Sequence, residues 1–133
     1  MDAQTRTIAE NCLKASYDGT MAFPDIVGTL IRAGFESYAV DYRRNTTTYY
    51  LADGDSVVIE NSKTSGSVAP AFNAAGVESA VRDAQANQPG YTYRGFCERV
   101  KGHGCAGYIV SFPGRRVVYF GRTAETHVEH FPQ

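Results

Sequence analysis

Tryptophan is absent from this chain, methionine occurs twice and cysteine three times. Cys12, Cys97 and Cys105 are odd in number and follow no framework spacing, which excludes the disulfide lattice of a small secreted scaffold. No Cys-x-x-Cys pair announces a zinc site, so no metal and no cofactor are expected. No apolar run approaches the roughly 18 residues that a membrane span needs, and no leader with an apolar core opens the chain. Together with unpaired thiols, this gives a cytoplasmic expectation. Basic excess is missing as well. Thirteen Lys and Arg against 14 Asp and Glu leave a net charge of −1, which disfavours a nucleic-acid or membrane-surface binder. Gly-x-Ser-x-Gly, P-loop and dinucleotide signatures do not occur.

What is present is tyrosine, nine residues of it, much of it in one stretch. Residues Glu36 to Leu51, ESYAVDYRRNTTTYYL, read as a β-hairpin: two runs of Tyr, Val and Thr interrupted by Arg43-Arg44-Asn45. A turn centred on Arg44-Asn45 would set Val40 opposite Tyr49 and Tyr38 opposite Leu51. One face is then apolar (Tyr38, Val40, Tyr42, Tyr49), and the other carries Ala39, Asp41, Arg43, Thr46, Thr48 and Tyr50. The apolar face calls for a helical layer.

Helical periodicity supplies that layer. Ile8, Cys12 and Ala15 share a face between a cap at Asp2 and a stop at Asp18-Gly19. Ile26, Val27, Leu30 and Ile31 form a stripe over residues 23–33, with Pro24 in the first turn and Gly34 closing. A short strand, Ser56 to Glu60, follows the hairpin. Residues 61–68 are polar and read as a surface connection. Beyond them come a helix from about Asn73 to Asn87, a helix from Tyr93 to Gly102 with Thr92 as cap, and a second hairpin. Its strands are residues 107–112 and 115–121, turning at Pro113-Gly114. Residues 126–131 alternate as a last edge strand. The bland readings hold for Cys12, a small buried hydrophobe, and for His103, a cap at a helix end.

A shift of 70 positions without a gap lays the second helix–hairpin on the first. Gly34 meets Gly104, Tyr38 meets Tyr108, Val40 meets Val110 and Tyr49 meets Tyr119. Residues 1–60 and 71–133 are thus either half-repeats or two units that share the same periods. Either way one α+β domain over residues 1–133 is expected: a mostly antiparallel sheet of five or six strands with about four helices on one face. Its core gathers Ile8, Cys12, Ile26, Val27, Leu30, Tyr38, Val40, Tyr49, Val77, Val81, Phe96, Val100, Tyr108, Val110, Phe112, Val117 and Tyr119.

Three groups of residues offer function. The reverse face is polar in the first half but apolar in the second, through Ile109, Val118 and Phe120. That patch calls for a second subunit in a homodimer, or for the C-terminal tail folded across it. Arg43-Arg44 and Arg115-Arg116 flank the two hairpin turns and suit anion capture, or simply solvated charge. Asp41, Arg43, Tyr50, His127 and Glu129 would supply the acid–base groups of a small hydrolase or transferase if the tail packs near the first hairpin. In the segment THVEH a strand would put His127 and Glu129 on one face and His130 on the other.

The stretch AFPDIVGTLIRAGFESYAVDYRRNTTTYYL at residues 22–51 and the ending VVYFGRTAETHVEHFP at residues 117–132 resemble the YbcV-like family. These are small bacterial and phage-associated proteins of unknown function, sometimes labelled "phage envelope protein". The resemblance covers nearly the whole chain and implies kinship without a catalytic assignment. It draws attention to Asp41, Tyr42, Arg43, Tyr49, Tyr50, Gly121, Arg122, His127 and Glu129. A phage-linked regulator that touches an anionic partner through the paired arginines is the third expectation.

Overall fold

A computed structural model describes residues 1–132. Helix α1 (Ala3–Asp18) begins where the Asp2 carboxylate accepts from the Thr5 amide, and ends at Gly19, which is left-handed with φ 73°. Helix α2 (Phe23–Arg32) has Pro24 in its first turn and Asp25 at the positive end of its dipole. Strands β1 (Phe35–Asp41), β2 (Thr46–Leu51) and β3 (Ser56–Glu60) follow as a meander. The same five elements then recur: α3 (Ala74–Gln85), α4 (Tyr93–Gly102), β4 (Cys105–Ser111), β5 (Arg116–Gly121) and β6 (Thr126–His130). Asn73 and Thr92 cap α3 and α4 as their side chains suggest.

The six strands form one antiparallel sheet in the order β3-β2-β1-β4-β5-β6. The first strands of the two meanders lie side by side at its centre. Tyr38, Val40, Tyr49, Tyr108, Val110, Val117 and Tyr119 point to one face, where the buried residues of all four helices meet them. Leu30, Val40, Val77, Val100 and Val110 are among the most deeply buried side chains, each worth about 1.5–3 kcal/mol of burial. Among the described residues the opposite face carries no helix. Ile8 and Val27, expected in the core, are only partly buried at its margin.

The 70-residue shift holds in the backbone. In β1–β2, Tyr38 pairs with Tyr49 and Val40 with Thr47; in β4–β5, Tyr108 pairs with Tyr119 and Val110 with Val117. Each hairpin has an irregularity at the same place, between Phe35 and Ser37 and between Cys105 and Gly107. Asn45 (φ 58°) and Arg115 (φ 50°) hold equivalent left-handed turn positions. The Tyr42 amide donates to the Ala106 carbonyl (2.9 Å) and the Phe112 amide to that of Glu36 (3.0 Å). These equivalences define a pseudo-twofold axis through the sheet between β1 and β4.

The expected register of the first hairpin needs correction. It is displaced by two residues, because Asp41 does not extend the ladder toward a two-residue turn. Its Oδ1 accepts from the amides of Arg43 and Arg44 (3.0 Å each) and opens a four-residue loop, 42–45. A two-residue displacement leaves every side chain on its expected face. The 61–68 connection is also more than a surface link. Asn61 is buried and accepts from the Thr47 hydroxyl (2.6 Å), and Val68 is buried. Lys101, itself buried, donates to the Thr64 hydroxyl (2.6 Å) and the Gly66 carbonyl (3.1 Å), which fastens this segment to α4.

Candidate functional site

The uncovered face is built from every second residue of each strand, and register sorts these residues into three rows across the sheet. The central row reads Val58, Thr48, Ala39, Ile109, Val118, Val128. Its neighbour toward the 42–45 turn reads Glu60, Thr46, Asp41, Gly107, Phe120, Thr126. The third reads Ser56, Tyr50, Ser37, Ser111, Arg116, His130. Val58 is 56% exposed, Ile109 45% and Val128 39%. Ile109, Val118 and Phe120 therefore lie together on one face, as their alternation in sequence implied, and Val58 and Val128 extend the band to both edges. Phe120 packs over the backbone of Gly107, where a Cβ would come within 2.8 Å of its ring.

The tail does not cross this face. It pairs with β5 as strand β6, and Phe131 packs edge-on against Phe23 with ring centroids 5.9 Å apart.

The five acid–base residues do not converge. Asp41 and Tyr50 lie on the uncovered face in its two outer rows, with the Asp41 carboxylate engaged in the turn. His127 and Glu129 lie on the helix-bearing face of β6, the far edge of the sheet. Three strand spacings, about 14 Å, and the thickness of the sheet separate them from β1. The tail joined β5 rather than reaching the first hairpin, and this removed the premise of a shared cleft.

His127 and Glu129 do share a face, as strand alternation requires, and His130 faces away. Glu129 is buried and its two oxygens are occupied, one by Arg82 Nη1 of α3 (2.7 Å) and the other by His127 Nε2. The imidazole stacks on Tyr119 with centroids 6.4 Å apart. This triad joins α3 to the edge strand. Among the described residues no group of three or more His, Cys, Asp or Glu is placed to hold a metal ion.

The arginine pairs are also apart. Because β1 and β4 run antiparallel, Arg43-Arg44 and Arg115-Arg116 occupy opposite ends of the sheet. Arg115 donates to the Pro132 carbonyl (2.9 Å) and lies 5.9 Å from the centroid of Phe131. Arg116 donates to the Gly114 carbonyl (3.0 Å).

Beneath the sheet the tyrosines and thiols form a single buried cluster. The Tyr93 and Tyr108 hydroxyls bond each other, and those of Tyr17, Tyr42 and Tyr93 surround the Cys97 thiol. Burial pushes all three thiols above their ordinary range, Cys105 to about 12. Thiols held protonated and out of solvent are packing groups, not nucleophiles.

Among the described residues no helix is long and apolar enough to cross a membrane. No curated protein matches the chain. A family described as "Protein of unknown function (DUF1398)" matches residues 18–129, from the end of α1 into β6. That span takes in every element but α1, of which it holds only Asp18, and the whole uncovered face except His130, and on it the chain belongs to this family of unknown function.

Proposed function

We propose that this chain is a cytoplasmic protein–protein interaction domain that works as a homodimer, two copies meeting through their uncovered sheet faces. The observation that carries the reading is the central row Val58-Thr48-Ala39-Ile109-Val118-Val128, a band of apolar and β-branched side chains spanning all six strands without a cover.

The occupant is argued from the row itself. A second copy turned about an axis along the strands sets β1 against the partner's β4, β2 against β5 and β3 against β6. Small then meets large: Ala39 faces the partner's Ile109, Thr48 the partner's Val118 and Thr46 the partner's Phe120. Tyr50 faces the partner's Arg116, which suits a cation over a ring. No like charges are opposed. Strands this long and six abreast give a face of about 25 by 17 Å, about 850 Å² over two copies before side-chain relief, which is the small end of isologous interfaces. The buried, unpaired thiols suit a reducing compartment. A phage-linked role belongs to the same proposal and rests on the resemblance of residues 22–51 and 117–132 alone.

Light scattering on a sizing column tests it. Wild type should elute with about twice the 14.5 kDa chain mass, and Ile109→Lys and Val118→Lys with one chain mass at unchanged circular dichroism. A wild type of one chain mass at tens of micromolar would contradict the proposal.

A further inference from the structure

The pseudo-twofold repeat supplies its own control, because positions that serve only the backbone can be compared with their counterparts 70 residues away. At one end of the sheet the two halves diverge in charge. Tyr42 and Arg43 correspond to Phe112 and Pro113, and Arg122 corresponds to Ala52. The turns have the same backbone form in both halves, so neither guanidinium is required by the fold.

Arg43 and Arg122 instead line one cleft of about 480 Å³, completed by Tyr42, Gly66, Ser67 and Val68. The wall formed by residues 66–68 belongs to the segment that joins the two halves. Lys101 lies behind that wall, 5% exposed, with its ammonium on the Thr64 hydroxyl and Gly66 carbonyl. Among the described residues no carboxylate oxygen comes within 4.0 Å of the cationic nitrogens of Arg43, Arg122 or Lys101. Of the acids at this end, Asp41 caps the 42–45 turn, Glu98 accepts from the Ser65 amide (2.6 Å), Glu125 accepts from the Thr123 hydroxyl (2.7 Å), and Glu60 pairs with neither arginine. Arg122 has a long bond to the Val68 carbonyl (3.5 Å), which leaves most of its fork free. Tyr42 shows the same divergence between the halves without supplying a ligand group, since its hydroxyl lies in the buried cluster beside the Cys97 thiol and its counterpart is a phenylalanine.

A second cleft serves as contrast. Between the α3–α4 loop and Arg99 lies a space of about 270 Å³, but Arg99 is already bound to Asp83 (2.6 Å) and Ser79 (3.0 Å). Its charge is spoken for.

We propose that the cleft between Arg43, Arg122 and the 66–68 segment binds a small organic anion through a phosphoryl or carboxylate group. Paired guanidinium forks match the oxygens of either group, and the Ser67 hydroxyl adds a further donor. The volume is that of a small-molecule site rather than of a bare ion, so the anionic group anchors a larger body.

Amide chemical-shift titrations with inorganic phosphate, adenosine monophosphate and citrate test this. Saturable shifts at Gly66 and Ser67 are expected with at least one probe. Response to the phosphorylated probes alone assigns the phosphoryl group, and response to citrate alone assigns a carboxylate. Arg43→Gln and Arg122→Gln should each weaken that binding about tenfold, while Arg115→Gln at the far end should leave it within about twofold. No saturable shift with any probe, or equal weakening by all three variants, would overturn the proposal.

Discussion

Ala39 and Ile109 face each other across the centre of the sheet, seventy residues apart, and each occupies the position of the other in its own half. The pairs on either side exchange in the same way: Tyr38 with Val110, Val40 with Tyr108. This arrangement lets one surface be both continuous and two-sided in its central row, Thr48 and Ala39 on one flank of the axis and Ile109 and Val118 on the other.

Equivalent glycines separate backbone strain from packing. Gly34 (φ 99°) and Gly104 (φ 85°) share a left-handed conformation that side chains disfavour. A Cβ on Gly34 meets nothing nearer than Leu51 Cδ2 at 3.9 Å, whereas one on Gly104 would lie 2.0 Å from the Ala71 carbonyl oxygen. Gly34→Ala should cost about 1 kcal/mol and Gly104→Ala at least about 3 kcal/mol, read by urea unfolding. Equal costs would show that the 61–73 segment does not press on Gly104.

Tyrosines of one cluster should respond oppositely to loss of the hydroxyl. Tyr42 keeps a buried hydroxyl without a good partner, and Tyr108 shares its hydroxyl with Tyr93. Tyr42→Phe is expected to raise unfolding free energy by about 1 kcal/mol and Tyr108→Phe to lower it by about the same amount. Destabilisation by both would mean that Tyr42 has a partner of its own.

The Glu129 triad should behave as a structural clasp. Arg82→Ala leaves a buried carboxylate with the imidazole alone and should cost about 1–3 kcal/mol at neutral pH. Melting temperature read beside the Arg44→Ala variant, an exposed arginine that pairs with no carboxylate among the described residues, gives the comparison.

Alkali should unfold the domain. Burial raises the phenol pKa of Tyr17, Tyr38, Tyr42, Tyr49, Tyr93, Tyr108 and Tyr119 above 10. The folded chain then holds protons that the unfolded chain releases. Their stabilisation is intact below pH 10 and falls as pH rises above it, by about 1.4 kcal/mol per pH unit for each such group. On a Tyr50→Phe, Tyr91→Phe background, which leaves only the buried and partly buried tyrosines to report, phenolate absorbance should thus appear together with loss of circular dichroism, in one steep step. Phenolate formation well before unfolding would contradict the buried cluster.

Local signals carried most of the fold. Asp2, Pro24, Asn73 and Thr92 start their helices where side-chain chemistry places them, and strand alternation put Val40 and Val110 inward. The hairpin register was not legible, since the two amide bonds of Asp41 depend on a turn not yet formed. Nor was the cationic cleft. Arg43 and Arg122 are 79 residues apart, and only the adjacency of β1, β4 and β5 brings their turns to one end of the sheet. His127 and Glu129 were legible as a pair, but Arg82 was not, because α3 and β6 meet only in the tertiary structure.

The face-to-face homodimer has one direct test. Val58 and Val128 sit on the two edge strands, five spacings or about 24 Å apart within one chain, far beyond the reach of a proton–proton Overhauser effect. In a mixture of differently labelled protomers, methyl cross-peaks between Val58 and the partner's Val128, and between Ala39 and the partner's Ile109, are the predicted result. A wild-type dimer lacking both cross-peaks, or a chain that stays single at the concentrations of the experiment, would contradict it.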